Sequence, residues 1–211
     1  MTQLLWKDLS TIDSLETILK RGGVVLAEGD TVLGLLADVS KEGFAQLNSI
    51  KIRTEKPYLV LVSDQKKALN LIDGAVFNEF QIEKLMNNCW PGPVTLIFKA
   101  KSGIAHFMKA SNGTIALRVP AHEGLLSLLE RFEALFSTSA NRSGVPVPSL
   151  LEEVDEAIID SVAGIVLNGQ HDNPTIASTI IDCTGDQLAV VRQGAFVADQ
   201  LIAEFNKNFL G

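Results

Sequence analysis

The chain switches repeatedly between two hydrophobic periods. Ile12, Leu15, Ile18 and Leu19 fall on one stripe at helical spacing, with Ser10 or Thr11 placed to cap it and Gly22-Gly23 to stop it. A strand from Val24 to Leu26 follows. After a turn, Ser40 caps a second helix whose Phe44, Leu47 and Ile50 recur every three residues, and its last turn delivers Lys51 and Arg53 into a loop. Tyr58–Val62 is a short β-rich run, Asp64 caps a brief helix, and Phe77–Cys89 has the apolar spacing of a longer one. Val94–Phe98, Thr114–Val119 and Leu135–Thr138 read as strands, with a helix over Leu125–Arg131 between the last two. Ser149 and Glu152 have capping-box spacing for a helix reaching Asp160. Three strands, Ile165–Leu167, Ser178–Asp182 and Leu188–Arg192, precede a terminal helix over about 197–209.

That alternation predicts an α/β fold. No repeat, low-complexity tract or Pro/Ser-rich linker divides the 211 residues, so one domain over 1–211 is expected. With 46% hydrophobic residues, the chain has enough apolar material to offset the entropy of ordering. Its unbroken apolar stretches, such as Leu59-Val60-Leu61-Val62, are far shorter than the roughly 18 residues a membrane span needs. Met1–Trp6 carries no basic segment leading into an apolar core, so the expected location is cytoplasmic, away from the membrane. Cys89 and Cys183 lie far apart in sequence, and His106, His122 and His171 match no ligand spacing, which predicts no metal held by protein side chains. The net charge of −7 argues against nonspecific DNA binding, which draws its affinity from many phosphate contacts. A local basic patch is compatible with it.

Neither G-x-x-x-x-G-K-[ST] nor G-x-G-x-x-G occurs, so side chains must do more of any nucleotide binding. Lys51, Arg53 and Lys56 crowd one loop. Such a loop suits a polyphosphate, since each cation gains on the order of 4 kcal/mol at about 4 Å and an effective dielectric of about 20, before desolvation. The same cations would also answer the helix's C-terminal dipole. A second cluster, Ser137-Thr138-Ser139-Ala140-Asn141-Arg142-Ser143-Gly144, gathers hydroxyls, an amide and a guanidinium at the end of an apolar strand, where α/β sheets hold ligands. Its alternative is a turn that satisfies its own backbone. Arg118 and Arg192 each interrupt or end a strand, and such an arginine needs solvent, a salt bridge or an anionic ligand. Trp90, between a helix and two prolines, reads as a packed corner rather than a base-stacking platform.

In this order, the segments resemble the YrdC-type family, the threonylcarbamoyl-AMP synthases. The resemblance covers about residues 12–195. It rests on Gly23-Val24-Val25 leading to Asp30-Thr31-Val32-x-Gly34-Leu35, Lys51-x-Arg53 with Lys56-Pro57, and Trp90-Pro91-Gly92-Pro93-Val94-Thr95. It continues through Arg118-Val119-Pro120, Ser139-Ala140-Asn141-x-Ser143-Gly144, Ser178-Thr179-Ile180-Ile181-Asp182 and Arg192-x-Gly194. The resemblance implies a single-domain YrdC-like fold: a twisted, mostly open mixed sheet with flanking helices and a concave basic cavity. It also implies a reaction in which L-threonine, bicarbonate and ATP give threonylcarbamoyl-adenylate and pyrophosphate, with Mg²⁺ on the phosphates. The product serves N6-threonylcarbamoyladenosine formation at tRNA position 37, with a downstream threonylcarbamoyl transferase as consumer and tRNA or double-stranded RNA as a possible direct partner. By motif, Lys51, Arg53, Thr95, Ser139, Asn141 and Arg192 would bind ATP, and Lys51 and Arg53 would act catalytically on the charge of the leaving pyrophosphate. Thr31, Lys56, Arg118, Ser137 or Thr138, and Ser178 would hold threonine or its carbamate, with Arg118 gripping the carboxylate bidentately.

One loop departs from that pattern. Where the family usually has Pro-Thr before the Asp/Glu-Thr and an aromatic residue two positions after that Thr, this chain has Glu28-Gly29 and Leu33. The changes remove a hydroxyl, relax a proline-fixed turn and add a carboxylate that either repels an anion or turns to solvent, while Leu33 fills the ring's space. They motivate a competing reading, a non-catalytic YrdC-fold RNA-binding protein whose affinity falls steeply with salt. The intact Lys-x-Arg and Ser-Ala-Asn segments favour the enzyme.

Overall fold

Successive residues of the central strands are buried on opposite sides, so their sheet has to be covered twice. The computed structural model describes residues 2–52, 57–74, 77–142, 144–169 and 176–210. Its strands are β1 (Thr2–Leu5), β2 (Val25–Ala27), β3 (Gly34–Asp38), β4 (Leu59–Leu61), β5 (Val94–Lys99), β6 (Thr114–Arg118), β7 (Leu135–Ser139), β8 (Gly164–Leu167), β9 (Thr179–Asp182) and β10 (Ala189–Arg192). They join in one mixed, unclosed sheet in the order β1-β8-β2-β3-β7-β4-β6-β5-β9-β10. Parallel pairing at β1/β8, β2/β8, β4/β6 and β5/β9 alternates with antiparallel pairing elsewhere.

The helices are α1 (Thr11–Lys20), α2 (Lys41–Lys51), α3 (Gln65–Leu69), α4 (Glu79–Cys89), α5 (Glu123–Leu129), α6 (Glu156–Ser161) and α7 (Asp199–Leu210). Val25, Leu36, Leu61, Leu135 and Val166 point to one face, where Leu15 and Leu19 of α1 and Leu125, Leu128 and Leu129 of α5 cover them. Leu26, Leu35, Val60, Phe136, Leu96 and Leu117 point to the other face, against residues of α2, α4, α6 and α7. Each fully buried leucine contributes about 1.5–3 kcal/mol, so the period-2 pattern fixes both the register and which helix lies on which side.

Several expectations need correction. Two strands went unread: β3, Gly-Leu-Leu-Ala-Asp, lacks β-branched residues and alternation because its middle is buried on both faces, and β1 is a largely exposed edge strand. Ser10 stands at the start of α1 without a side-chain cap, and the Thr11 hydroxyl donates to the Leu5 carbonyl instead. The single helix over 149–160 is broken. Its capping box does not form; the Glu153 carboxylate accepts from the Ser149 amide, Val154 turns extended into the core, and Asp155 caps α6 through the Ala157 amide. Ser40 and Asp64 do cap α2 and α3, and Trp90 is a buried corner whose indole donates to the Val94 carbonyl at 2.7 Å.

Candidate functional site

Helices α1 and α5 cover only part of their face. Beyond them, on the same face of the sheet, stand Gly34, Thr95, Ala116, Arg118, Ser137, Ser139 and Ile180, which line a cavity of about 370 Å³ together with Thr31, Thr138, Ser178 and Arg192. The register explains the convergence. Arg118 pairs with Leu61 across β6 and β4, Ser137 with Leu36 across β7 and β3, and Thr95 with Ile180 across β5 and β9. A larger groove of about 450 Å³ lies elsewhere, between β1 and α6, and carries Glu152, Glu156 and Asp160 without a cation. The cavity over the open half-face is the one that gathers the motif hydroxyls with two guanidinium groups.

Arg118 is its most constrained cation, with only 4% of its surface exposed. Its Nε donates to the Gly92 carbonyl at 2.8 Å, its Nη1 to the Thr31 hydroxyl at 2.9 Å, and its Nη2 lies 2.6 Å from Asp30 Oδ2. Burial pushes the Arg118 pKa down, Asp30 opposes that, and the Arg192 charge adds to the depression, so the two guanidinium groups sense each other. Arg192 stands at the end of the exposed strand β10, and desolvation of its guanidinium shifts its pKa down as well. It donates through Nε and Nη2 to the Ser178 carbonyl at 3.2 and 2.8 Å, and through Nη2 to the Ser178 hydroxyl at 3.3 Å. That hydroxyl shares a 2.8 Å hydrogen bond with buried Thr95. Among the described residues the lining holds two guanidinium groups, several hydroxyls and no carboxylate. Guanidinium and hydroxyl groups of this kind are the donors that anions take.

Residues 17–194 match the Sua5/YciO/YrdC family, which carries the description "Telomere recombination". The chain belongs to that family. It is 31% identical over 169 residues to the threonylcarbamoyl-AMP synthase of Xylella fastidiosa, covering 78% of this chain and 87% of that one. It is 34% identical over 159 residues to the enzyme of the same name from Idiomarina loihiensis, covering 72% and 84%. The crystal structure of P. abyssi Sua5 complexed with L-threonine superposes with a TM-score of 0.84 at 23% identity, over 99% of this chain. This chain spans 60% of that longer one, and the likeness is one of fold.

Mapped onto the geometry, the Sua5/YciO/YrdC motifs separate into two groups. Thr31, Thr95, Arg118, Ser137, Thr138, Ser139, Ser178 and Arg192 line the cavity together. Lys51 and Asn141 stand outside that lining. Lys51 is buried at the end of α2, and its ammonium donates to the Ser139 carbonyl at 2.7 Å, to the Asn141 carbonyl, and to Asn141 Oδ1 at 3.3 Å. Asn141 Oδ1 also accepts from the Ser139 hydroxyl at 2.5 Å, and its amide donates to the Val145 carbonyl. Arg53, Lys56 and Ser143 lie outside the described residues.

The departing loop is built differently from either expectation. Glu28 neither lines the cavity nor turns to solvent: it is buried, its carboxylate accepts from the Asn168 amide, and its carbonyl accepts from the Trp6 indole at 2.9 Å. Asn168 is in turn bonded to His122, whose other nitrogen caps α5 through the Leu125 amide. Leu33 is buried in the core cluster of the opposite face. Gly29 sits against α5, where a Cβ would come within 2.9 Å of Leu125. Sequence reasoning missed Asp30 and the Gly92 carbonyl as partners of Arg118. The only signal was the cost of burying an arginine, which demands a counter-charge without naming it.

Proposed function

We propose that this protein is a threonylcarbamoyl-AMP synthase: it makes threonylcarbamoyl-adenylate from L-threonine, bicarbonate and ATP, releases pyrophosphate, and supplies a threonylcarbamoyl transferase that modifies tRNA position 37. The observation that carries this reading is that Arg118 and Arg192, from two different strands, meet hydroxyls of four further segments in one cavity without a carboxylate in its described lining. Threonine and bicarbonate first form a carbamate with loss of water. A carbamate oxygen then attacks the α-phosphorus, forming one P–O bond while the bond to pyrophosphate breaks. Such a displacement needs no protein nucleophile; it needs both anions held in line and their charge dispersed.

In this reading Arg118, Thr31 and Ser178 receive the amino-acid end, and Arg192 with Thr95 and Ser139 the nucleotide end. Lys51, whose ammonium also holds the Ser139–Asn141 loop, would act with Arg53 on the charge of the leaving pyrophosphate, and Lys56 would join the amino-acid side. No group of three or more His, Cys, Asp or Glu suited to a metal ion occurs among the described residues. In this reading magnesium arrives on the ATP phosphates, where it would neutralise charge.

The test is pyrophosphate release by the purified protein. Release should require threonine and bicarbonate together and should fall by orders of magnitude in Lys51→Ala and Arg53→Ala. Release that ignores threonine, or none above background, would overturn the proposal. Serine belongs beside threonine in the assay, since one methyl is worth only about 1–3 kcal/mol of discrimination.

A further inference from the structure

Asp30 stands outside the lining of the large cavity. It borders a void of about 30 Å³ behind it, together with Thr31, Arg118 and Ser137. Its carboxylate is held from two sides, since Oδ2 accepts from the Ala121 amide at 2.7 Å and lies 2.6 Å from Arg118 Nη2. The strand end before it is pinned from behind, with the Glu28 amide on the Val166 carbonyl, the Asn168 amide on the Glu28 carboxylate and the Trp6 indole on the Glu28 carbonyl.

A guanidinium offers five N–H groups in one plane. Gly92 takes the Nε edge, Thr31 one Nη1 hydrogen, and Asp30 stands against Nη2, so the plane of Arg118 cannot turn. Asp30 pairs with Nη2 at 2.6 Å, and since Nη2 is buried and carries two N–H groups, at least one of them is left without an acceptor among the described residues. An oriented, charge-matched guanidinium with an unfilled N–H awaits an acceptor from the cavity.

Resting on the function proposed above, we propose that Asp30 is a positioning residue for the amino-acid substrate: it locks the Arg118 plane and matches its charge, so that Arg118 recognises a carboxylate or carbamate by hydrogen-bond direction. A guanidinium fixed in advance loses little freedom when the ligand binds. Without Asp30 the same group would carry its full charge in a buried site next to Arg192 and would swing toward solvent or the nearest carbonyl.

Three measurements decide it. Asp30→Asn keeps the shape and an acceptor for the Ala121 amide; it should raise the threonine KM by about tenfold or more while the ATP KM stays within about twofold. Asp30→Ala leaves a carboxylate-sized space, and added formate should restore threonine-dependent turnover with saturation, whereas formamide should not. Formate should also raise the melting temperature of Asp30→Ala more than that of the wild type, a readout independent of turnover. An unchanged threonine KM in Asp30→Asn, equal rises in both KM values, or a folded Asp30→Ala indifferent to formate in melting would each overturn the proposal. If Asp30→Ala fails to fold, the KM split in Asp30→Asn decides alone. A wild type without threonine-dependent pyrophosphate release sinks the proposed function instead, and the formate melting shift then still decides whether Asp30 holds Arg118.

Discussion

Two halves of one sheet face carry opposite residues on the same strands. Under α1 and α5, Leu36, Leu61 and Leu135 are nearly or fully buried in an apolar cluster. Two residues further along the same phase, or one strand over, stand Gly34, Arg118 and Ser137, which line the cavity. The alternation does not change between the halves; the cover does. Where a helix lies on the strand the phase is leucine or valine, and where none does it admits hydroxyls and guanidinium groups beside small and apolar residues. The site is thus the unroofed continuation of a core, and its rigidity is borrowed from the roofed half.

The sharpest way to break that comparison is to treat Arg118 as if it were core. Arg118→Met removes one partner of a buried ion pair and should cost about 3–5 kcal/mol, because the Asp30 carboxylate is left with the Ala121 amide alone. Adding Asp30→Asn should return much of that stability in urea unfolding without returning activity. If the double replacement is as unstable as the single one, the pair is not what made the arginine tolerable. Next in size, Leu135→Ala should cost about 2–5 kcal/mol, whereas Ser137→Ala, two residues along the same face, should stay within about 0.5 kcal/mol and weaken substrate use. Equal losses at the two positions would mean that both halves are core.

A smaller effect belongs to the hydroxyl pair. Thr95→Val preserves shape and removes one side of the 2.8 Å bond to Ser178, at a cost of about 1 kcal/mol. Because Ser178 accepts all three of the hydrogen bonds that aim Arg192, the ATP KM should rise more than the threonine KM. A rise confined to threonine would reverse the division of the cavity.

How far this was legible in the chain follows from the same contrast. Elements with a clean apolar period announce themselves, which is why α1, α2, α4, β5, β6 and β7 were readable within a residue or two. Strand β3 was not, because Gly34-Leu35-Leu36-Ala37-Asp38 is buried on both sides and carries no alternation to read. Motif order brought the eight cavity-lining residues together, and an arginine inside an apolar strand signalled that a partner must exist. The partner's identity depended on a contact 88 positions away in the chain, Asp30 to Arg118, which no local spacing encodes. Charge spacing marked Lys51 as a cation for phosphate, but the hydrogen bonds of its ammonium to the carbonyls of Ser139 and Asn141 are set by packing and have no local signal.

The last expected effect is none at all, and it probes the fully covered face. Cys89 and Cys183 belong to the cluster beneath the cavity's sheet and are buried free thiols. Burial pushes the Cys89 thiol up to about 12, and burial pushes Cys183 well above its ordinary value, with neighbouring Cys89 and Asp182 adding to the rise. Since the thiolate is the reactive species, both should resist iodoacetamide at pH 8 in the folded protein and react in urea. The sign is fixed by the direction of the shift: a raised thiol pKa leaves the neutral form dominant throughout the neutral range, and unfolding lowers it toward its ordinary value, so stability contributed by keeping these thiols neutral declines only at alkaline pH. Rapid labelling of either cysteine at pH 8 without unfolding would mean that the supposedly closed face opens, and that the contrast between roofed and unroofed halves is one of degree.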